Sequence, residues 1–117
     1  MLYREDGSAT RNAMEDFIAS QNISTPKKME LTSNEALKQA VIAGLGYSIM
    51  PLIGIKNELK NGDLQIIPYK DLPIVTTWNL VWQKSKNLSP TALAYLDFIK
   101  AEKARIIEEN FAWYDQY

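Results

Sequence analysis

Apolar and polar positions change their period between residues 29 and 52, and this change predicts the central elements of the fold. Glu30 and Leu31 end a short strand, and apolar residues then recur at helical spacing. Gly44 is placed to end that helix, and Gly46 allows a tight turn. The apolar run over residues 47–50 predicts a buried strand. A strand, a helix and a strand in this order predict a βαβ unit with parallel strands. The apolar helix positions are Ala36, Leu37, Ala40 and Val41.

Four polar residues stand at the start of that helix: Thr32, Ser33, Asn34 and Glu35. Their T-x-x-E spacing predicts a capping box, in which Thr32 covers the backbone N–H of Glu35 and Glu35 reaches back to that of Thr32. A helix start also offers unpaired N–H groups and partial positive charge, which suit a carboxylate or a similar anion. These side chains are therefore either ordinary caps that bind nothing or one wall of an anion site.

The residues before this unit predict a strand end, a turn and a helix. Residues 2–4 end a short strand, and the turn at Gly7 leads to a helix over residues 9–20, capped by Ser8 or Asp6. A loop follows over residues 24–26. The buried face of the helix is predicted to contain Ala13, Phe17 and Ile18, with Met14 beside it.

The residues after the central unit predict two further helices and two further strands. One helix begins at Pro51 and ends at Asn61-Gly62. Strands are predicted over residues 64–68 and, from strict alternation, over residues 76–83. Ser89-Pro90 predicts the start of a helix that runs to about residue 109. Four aromatic residues then follow within seven positions: Phe111, Trp113, Tyr114 and Tyr117.

Composition limits the chemistry more than it limits the fold. The 117 residues suit one domain, and an apolar fraction of 46% with a net charge of −1 is ordinary for a globular protein. No apolar run is long enough to span a membrane, and no signal peptide is visible. With no cysteine and no histidine, thiolate ligands, disulfides and the commonest general base are excluded. No basic face suited to a phosphate backbone is apparent.

Four stretches of the chain resemble LysR-type transcriptional regulators. Residues 30–51, ELTSNEALKQAVIAGLGYSIMP, resemble the second effector-domain segment of that family. Residues 4–11, REDGSATR, resemble its R-E-x-G-S-x-T-R segment at the right distance upstream. NGDL at 61–64 resembles the G-x-L turn after the next helix, and LSPTA at 88–92 with Phe98 resembles the closing helix. Together the four landmarks cover about residues 2–99 in the family's order.

The resemblance implies an α/β fold, namely one lobe of a type 2 periplasmic-binding-protein-like fold. This lobe is a parallel or mixed sheet flanked by helices, followed by a C-terminal strand and a long helix. Residues 1–73 would be the second effector-binding subdomain (βαβαβ), and residues 74–103 the returning strand and helix of the first subdomain. Residues 104–117 lie beyond the family pattern as an aromatic tail. The chain is thus expected to be a fragment that lacks the winged helix-turn-helix.

The resemblance also implies a function and a site. The chain would sense a small, anionic effector as part of a cytoplasmic regulator, contacting DNA only through a winged-helix domain absent from this sequence. A homodimer is expected. The resemblance implies no cofactor, no metal and no membrane partner. The tail would either fold back on its own domain or pack on another chain. The effector-binding wall is expected to consist of Ser8, Thr10, Thr32, Ser33 and Asn34.

Two other classes of function make different demands on the sequence. A solute-binding protein of the same fold, acting in transport, would require a signal peptide and two complete lobes. An enzyme would have to rely on carboxylates, Lys or Tyr, and adjacent acidic pairs such as Glu108-Glu109 do not face each other on a helix.

Arg4 and Arg11 bracket the Gly7 turn; they either face an anion or pair with Glu5, Asp6 or Glu15 at the surface.

Overall fold

The computed structural model describes residues 1–25 and 28–117, and these form two compact units, Met1–Ile74 and Val75–Tyr117. The first contains β1 (Leu2–Arg4), α1 (Ala9–Ser20), β2 (Met29–Leu31), α2 (Asn34–Ile42), a 3-10 turn (Leu52–Gly54) and α3 (Lys56–Asn61). The second contains α4 (Pro90–Phe111) and a 3-10 turn (Ala112–Gln116). The chain is therefore an α/β protein. Pro26, in the predicted loop over residues 24–26, lies outside the described residues.

The sheet of the first unit consists of two parallel strands. β1 pairs with β2 in the register Leu2 to Met29, Tyr3 to Glu30 and Arg4 to Leu31. The backbone N–H of Glu5 donates to Leu31 O at 3.1 Å, which extends the ladder by one residue beyond β1. Since α1 connects two parallel neighbours, β1, α1 and β2 form a βαβ unit.

Helices cover both faces of this sheet. Neighbouring strand residues point to opposite sides, so each face presents an apolar side chain to a helix. Leu2 packs with Leu37 and Ala40 of α2, whereas Tyr3 packs with Met14 and Ile18 of α1. The buried Tyr3 hydroxyl is hydrogen-bonded to Thr25 Oγ1 at 2.9 Å, so it is not left unsatisfied inside the core. Two small clusters, one on each face of the sheet, thus make up most of the described core of the first unit, and Ile55 is buried outside them.

The helix predictions are largely confirmed. The helix predicted over residues 9–20 is α1, and Gly44 ends α2 with a φ of 75°. The backbone N–H of Gly44 donates to Val41 O and that of Leu45 to Ala40 O, the paired bonds of a Schellman motif. The helix predicted from Pro51 is divided into a 3-10 turn and α3, and it ends at Gly62 in the left-handed conformation. The buried side of α1 is centred on Met14 and Ile18, whereas Ala13 and Phe17 are only half-buried.

The strand predicted over residues 47–50 is wrong as a ladder-paired strand. Leu2 N–H donates to Tyr47 O at 2.8 Å, but Leu2 O accepts from the Ser48 hydroxyl at 2.9 Å. A side chain therefore takes an acceptor that a backbone N–H would use in a ladder. Ile49 and Met50 still contribute to opposite core clusters, as the alternation of a strand requires.

The strands predicted over residues 64–68 and 76–83 are also wrong. Neither segment is in a strand, and β1 and β2 are the only strands among the described residues. The second unit contains no other strand with which residues 76–83 could pair, and Trp78 in this segment is 83% exposed. The alternating pattern identified a segment suited to a sheet, but a strand also needs a neighbour that supplies hydrogen bonds.

Lys38 joins α2 to α3 within the first unit. Its ammonium nitrogen lies 2.9 Å from a carboxylate oxygen of Glu35 and 2.7 Å from one of Glu58. Hydrogen bonding to these carboxylates, Glu58 first, raises the pKa of Lys38, and Lys38 lowers the pKa of Glu58. This bridge holds α3 at the side of the sheet that α2 covers.

The second unit has a long helix and no buried residue. Ser89 caps α4, because its hydroxyl oxygen accepts from the backbone N–H of Ala92 at 3.2 Å, and Pro90 occupies the first turn, as predicted. Arg105 pairs with Glu102 and Glu109 along the helix surface and supports its C-terminal half. Within the described part of the chain, no helix has both the length and the apolar character needed to cross a bilayer.

Candidate functional site

The two helices of the first unit begin at the same edge of the sheet. β1 and β2 are parallel neighbours, so their carboxyl ends meet there, and α1 and α2 follow these ends. This edge is where ligands bind in open α/β sheets. Because α1 and α2 lie on opposite faces, their N-termini approach the edge from opposite sides of the sheet.

The five predicted site residues all lie at this edge. Ser8 is the residue before α1 and Thr10 lies in its first turn, and both are half-buried. Thr32, Ser33 and Asn34 connect β2 to α2 and are exposed. The structure thus places the two groups at one end of the sheet.

The predicted capping box at Thr32 and Glu35 is wrong by one position. Ser33, not Thr32, caps α2, since its hydroxyl oxygen accepts from the backbone N–H of Ala36 at 3.0 Å. Glu35 does not reach back, because its carboxylate binds Lys38 and accepts from Gln39 instead. Thr32 is therefore not used in the cap and remains exposed at the edge.

Arg4 connects the two loops of this edge. Its guanidinium donates two hydrogen bonds to the Glu5 carboxylate, both at 2.7 Å, and a third to the side-chain oxygen of Asn34. Hydrogen bonding to Arg4 is the main reason why the pKa of Glu5 is lowered to about 2. The same pairing raises the pKa of Arg4. Arg4 thus fixes the start of α2 relative to the end of β1.

Arg11 makes a second connection across the same edge. Its Nε donates to Glu15 at 3.0 Å, and its Nη1 donates to Glu30 at 2.7 Å and to the backbone oxygen of Arg4 at 3.3 Å. Hydrogen bonds to Glu15 and Glu30, in that order, raise the pKa of Arg11. One side chain of α1 therefore contacts both strands of the sheet near their carboxyl ends.

The charges at this edge are balanced by side chains of the chain itself. Both guanidinium groups are paired with carboxylates, so the prediction that Arg4 and Arg11 pair with neighbouring acids is confirmed for Glu5 and Glu15. An incoming anion would have to use the exposed helix start or displace a carboxylate. The edge can orient and hydrogen-bond a ligand, and no group of His, Cys, Asp or Glu over the described residues is arranged to hold a metal ion.

Sequence reasoning missed the roles of Glu30 and of the Arg4–Asn34 contact. Glu30 lies on β2 opposite Tyr3, and its carboxylate faces Arg11 of the preceding helix. No local spacing signals these contacts, since they depend on the register between β1 and β2. A correct pairing of the two strands would have brought Arg4, Glu30 and Asn34 to one edge.

The Glu5–Arg4 pair predicts how stability depends on pH. The folded-state pKa of Glu5, about 2, lies below its ordinary value of 4.5, so the pair stabilises the fold above about pH 4.5 and this contribution is lost as the pH falls through about 2. We expect Glu5→Gln to remove that part of the pH dependence. Urea titrations between about pH 5 and pH 2 measure it. Arg4→Met should remove most of the same pH dependence, since a backbone hydrogen bond of Glu5 also lowers its pKa. The double variant should remove no more than Glu5→Gln alone, and independent, additive losses would contradict the pairing.

Comparisons with known proteins agree on one family. The family model described as LysR substrate binding domain matches residues 1–104. The chain is 41% identical over 101 residues to the HTH-type transcriptional activator CmpR of Synechocystis sp., covering 86% of this chain and 33% of the relative. It is 41% identical over 105 residues to a RuBisCO operon transcriptional regulator of Allochromatium vinosum, covering 90% and 35%.

A third relative gives the same picture. The chain is 39% identical over 100 residues to the HTH-type transcriptional regulator CbbR of Rhodospirillum rubrum, covering 86% of this chain and 34% of the relative. The chain therefore spans about a third of the length of these curated relatives. No solved structure gives a significant match.

Proposed function

We propose, from the premise that this chain belongs to the LysR substrate-binding domain family, that it is the effector-sensing part of a LysR-type transcriptional regulator. The observation that carries the proposal is the family match over residues 1–104. Relatives at about 40% identity are transcriptional regulators by name, which favours sensing over catalysis. The relative from Allochromatium vinosum is named for the RuBisCO operon, which makes that operon a first candidate target of the whole regulator.

We place the effector at the carboxyl edge of the β1–β2 sheet. The proposed wall consists of the exposed start of α2 and the half-buried start of α1, where small hydroxyl and amide groups are available for hydrogen bonding. We propose that the effector is small and anionic, since α2 presents unpaired backbone N–H groups and its partial positive charge at this edge. The contacting residues would be Ser8, Thr10, Thr32, Ser33 and Asn34.

The proposed mechanism is a shift between two conformations. The chain would form one lobe of a periplasmic-binding-protein-like fold, and the effector would bind more tightly when two lobes close on it. Only such a difference in affinity can move the equilibrium toward the closed state. The closure would be passed to a winged-helix DNA-binding domain outside this sequence, in a cytoplasmic protein. We also propose that the chain forms homodimers.

A titration followed by NMR tests the position and the charge of the effector site. The ¹⁵N-labelled chain is titrated with succinate, with inorganic phosphate and with neutral succinamide as the matched control, at constant ionic strength. We expect both anions to shift the backbone amide signals of residues 8–10 and 32–36, and succinamide to leave them unchanged. Amide shifts spread evenly over the surface, or equal shifts with succinamide, would contradict the proposal.

A variant at the start of α2 makes this test sharper. Asn34→Ala should weaken the response to the anions, because it removes a side chain at the proposed wall. Asn79→Ala, an exposed amide of the second unit, is the matched control and should respond as the unaltered chain does. If Asn34→Ala responds fully, then Asn34 is not part of the wall.

A further inference from the structure

Arg4 holds the Asn34 side chain by one end of its amide. The guanidinium Nη1 donates to Asn34 Oδ1, which joins the last residue of β1 to the first residue of α2. A guanidinium has five N–H donors and no acceptor, so only the oxygen of the amide can face it. The contact therefore allows one of the two orientations that an asparagine amide can adopt.

The other end of the Asn34 amide carries its donors. The oxygen and the nitrogen are bonded to the same carbon, so the NH2 group points away from the guanidinium that the oxygen meets. Within residues 1–25 and 28–117, no group accepts a hydrogen bond from this nitrogen. Asn34 is exposed at the carboxyl edge of the sheet. Its two N–H donors are thus available to a ligand, whereas its oxygen is turned toward Arg4.

The neighbouring groups at the start of α2 also offer donors. The Ser33 hydroxyl oxygen accepts from the backbone N–H of Ala36, and the hydroxyl hydrogen remains to be donated. The first intrahelical bond of α2 is made by Leu37 N–H, so the backbone N–H groups at residues 34 and 35 have no acceptor within the helix. Amide, hydroxyl and backbone donors therefore lie together at this helix start.

Arg4 is placed to orient Asn34 rather than to bind a ligand itself. Its Nε and Nη2 donate to the two carboxylate oxygens of Glu5, both at 2.7 Å, and this bidentate pair neutralises the guanidinium and fixes its plane. The Arg4 side chain is only 15% exposed. Its third hydrogen bond, from Nη1, is the one to Asn34. The pairing with Glu5 thus holds the group that in turn holds the amide.

We propose that Arg4 is a positioning residue of the effector site, which turns the Asn34 amide so that its NH2 group, and not its oxygen, meets the ligand. Such a site selects a ligand that presents hydrogen-bond acceptors. A carboxylate fits because it accepts and cannot donate, whereas the donor of a hydroxyl or amide group would be left unpaired. The proposal rests on the effector site placed above at the carboxyl edge, and it adds the residue that sets the polarity of that site.

Asn34→Asp and Asn34→Ala test the polarity of the amide. Asn34→Asp keeps the size of the side chain and an acceptor for Arg4, but it replaces the NH2 group with a second carboxylate oxygen. We expect the affinity for succinate to fall roughly three- to tenfold in Asn34→Ala, and further in Asn34→Asp. If Asn34 serves only the helix, Asn34→Asp should bind succinate as the unaltered chain does, because a carboxylate suits a helix start. That result would overturn the proposal. Circular dichroism checks that both variants are folded.

The side-chain NH2 signals of Asn34 in the ¹⁵N spectrum report on the role of Arg4. They should shift under succinate in the unaltered chain and, at least in part, in Arg4→Lys, because an ammonium is also a donor without an acceptor. In Arg4→Met the amide can turn, so this shift should be lost while the backbone amides of residues 33–36 still respond. A side-chain shift in Arg4→Met equal to that of the unaltered chain would contradict the positioning role.

Arg11→Met is the matched control for charge. It removes a positive charge from the same edge, but the guanidinium of Arg11 donates to Glu15, Glu30 and the backbone oxygen of Arg4. The side-chain shift of Asn34 under succinate should therefore persist in this variant. Equal losses of that shift in Arg11→Met and Arg4→Met would reduce the effect to charge alone and would overturn the proposal.

The outcomes also separate this proposal from the wider one. If succinate shifts neither the backbone amides of residues 32–36 nor the Asn34 side-chain signals, both the effector site and the positioning role are overturned. If the backbone amides shift and the Asn34 side-chain signals of the unaltered chain do not, the effector site stands and the positioning role of Arg4 is overturned.

Discussion

Leu37→Ala is expected to lower the free energy of unfolding by roughly 2–5 kcal/mol. Leu37 has no exposed surface, and it packs with Leu2 of the sheet and Ala40 of its own helix. Truncation removes the apolar burial and leaves a cavity between α2 and the sheet. The core clusters described in the first unit are two and both are small, so neighbouring side chains can fill little of that space. Chemical denaturation monitored by circular dichroism measures the change.

The same substitution at an exposed leucine is the matched control. Leu45 follows the Gly44 turn and is 60% exposed, so Leu45→Ala should change the free energy of unfolding by no more than about 0.5 kcal/mol. If Leu37→Ala and Leu45→Ala have equal effects, α2 does not pack on the sheet through Leu37. Both variants replace leucine with alanine, so a difference between their free energies of unfolding reports the difference in burial of the two side chains.

Helices were predictable here because their signals are local. The apolar spacing placed α1 at residues 9–20, although the predicted cap is wrong because the Ser8 side chain makes no capping hydrogen bond. Gly44 ended α2, and Ser89-Pro90 began α4. A cap or a C-terminal glycine acts within one turn of the residues it terminates. The error at Thr32 is also local and amounts to one residue. The T-x-x-E spacing that begins at Thr32 and the S-x-x-A cap that begins at Ser33 overlap at the same helix start.

Strands were less predictable because a strand depends on its partner. Residues 47–50 have the alternation of a strand and contribute to both core clusters, yet the Ser48 hydroxyl takes the acceptor that a ladder would use. Residues 76–83 alternate more strictly still, and the second unit provides no strand beside them. Periodicity reports which side chains suit a pleated surface, and it is silent on where hydrogen-bonding neighbours lie.

The candidate site shows the same division between local and distant information. The positions of Ser8, Thr10 and residues 32–34 at helix starts follow from capping signals. Their arrangement at one edge follows from the parallel pairing of β1 and β2, whereas the sequence predicted its βαβ unit over residues 29–52, with a second strand at residues 47–50 that does not form. The Arg4–Asn34 and Arg11–Glu30 contacts follow only from the register of the two strands, which no local pattern specifies.

Met14→Ala is expected to cost roughly 2–5 kcal/mol, because Met14 is 1% exposed and packs with Tyr3 and Ile18 on the second face of the sheet. Periodicity placed Met14 beside the buried face and Phe17 on it, whereas the structure buries Met14 and leaves Phe17 half-buried with its ring edge against Tyr69. Phe17→Ala should therefore cost less than Met14→Ala, although phenylalanine is the larger side chain.

Met14→Leu separates the loss of volume from the loss of the methionine itself. It keeps a side chain of similar size, so it should cost less than about 1.5 kcal/mol. Urea titrations of the three variants rank them directly. If Phe17→Ala lowers the free energy of unfolding the most and Met14→Ala changes it little, α1 packs through the face that periodicity indicated. The helix would then be rotated away from Tyr3. The expected order, Met14→Ala above Phe17→Ala, instead requires α1 to be anchored on Tyr3, which also sets the direction from which Arg11 reaches Glu30 at the carboxyl edge.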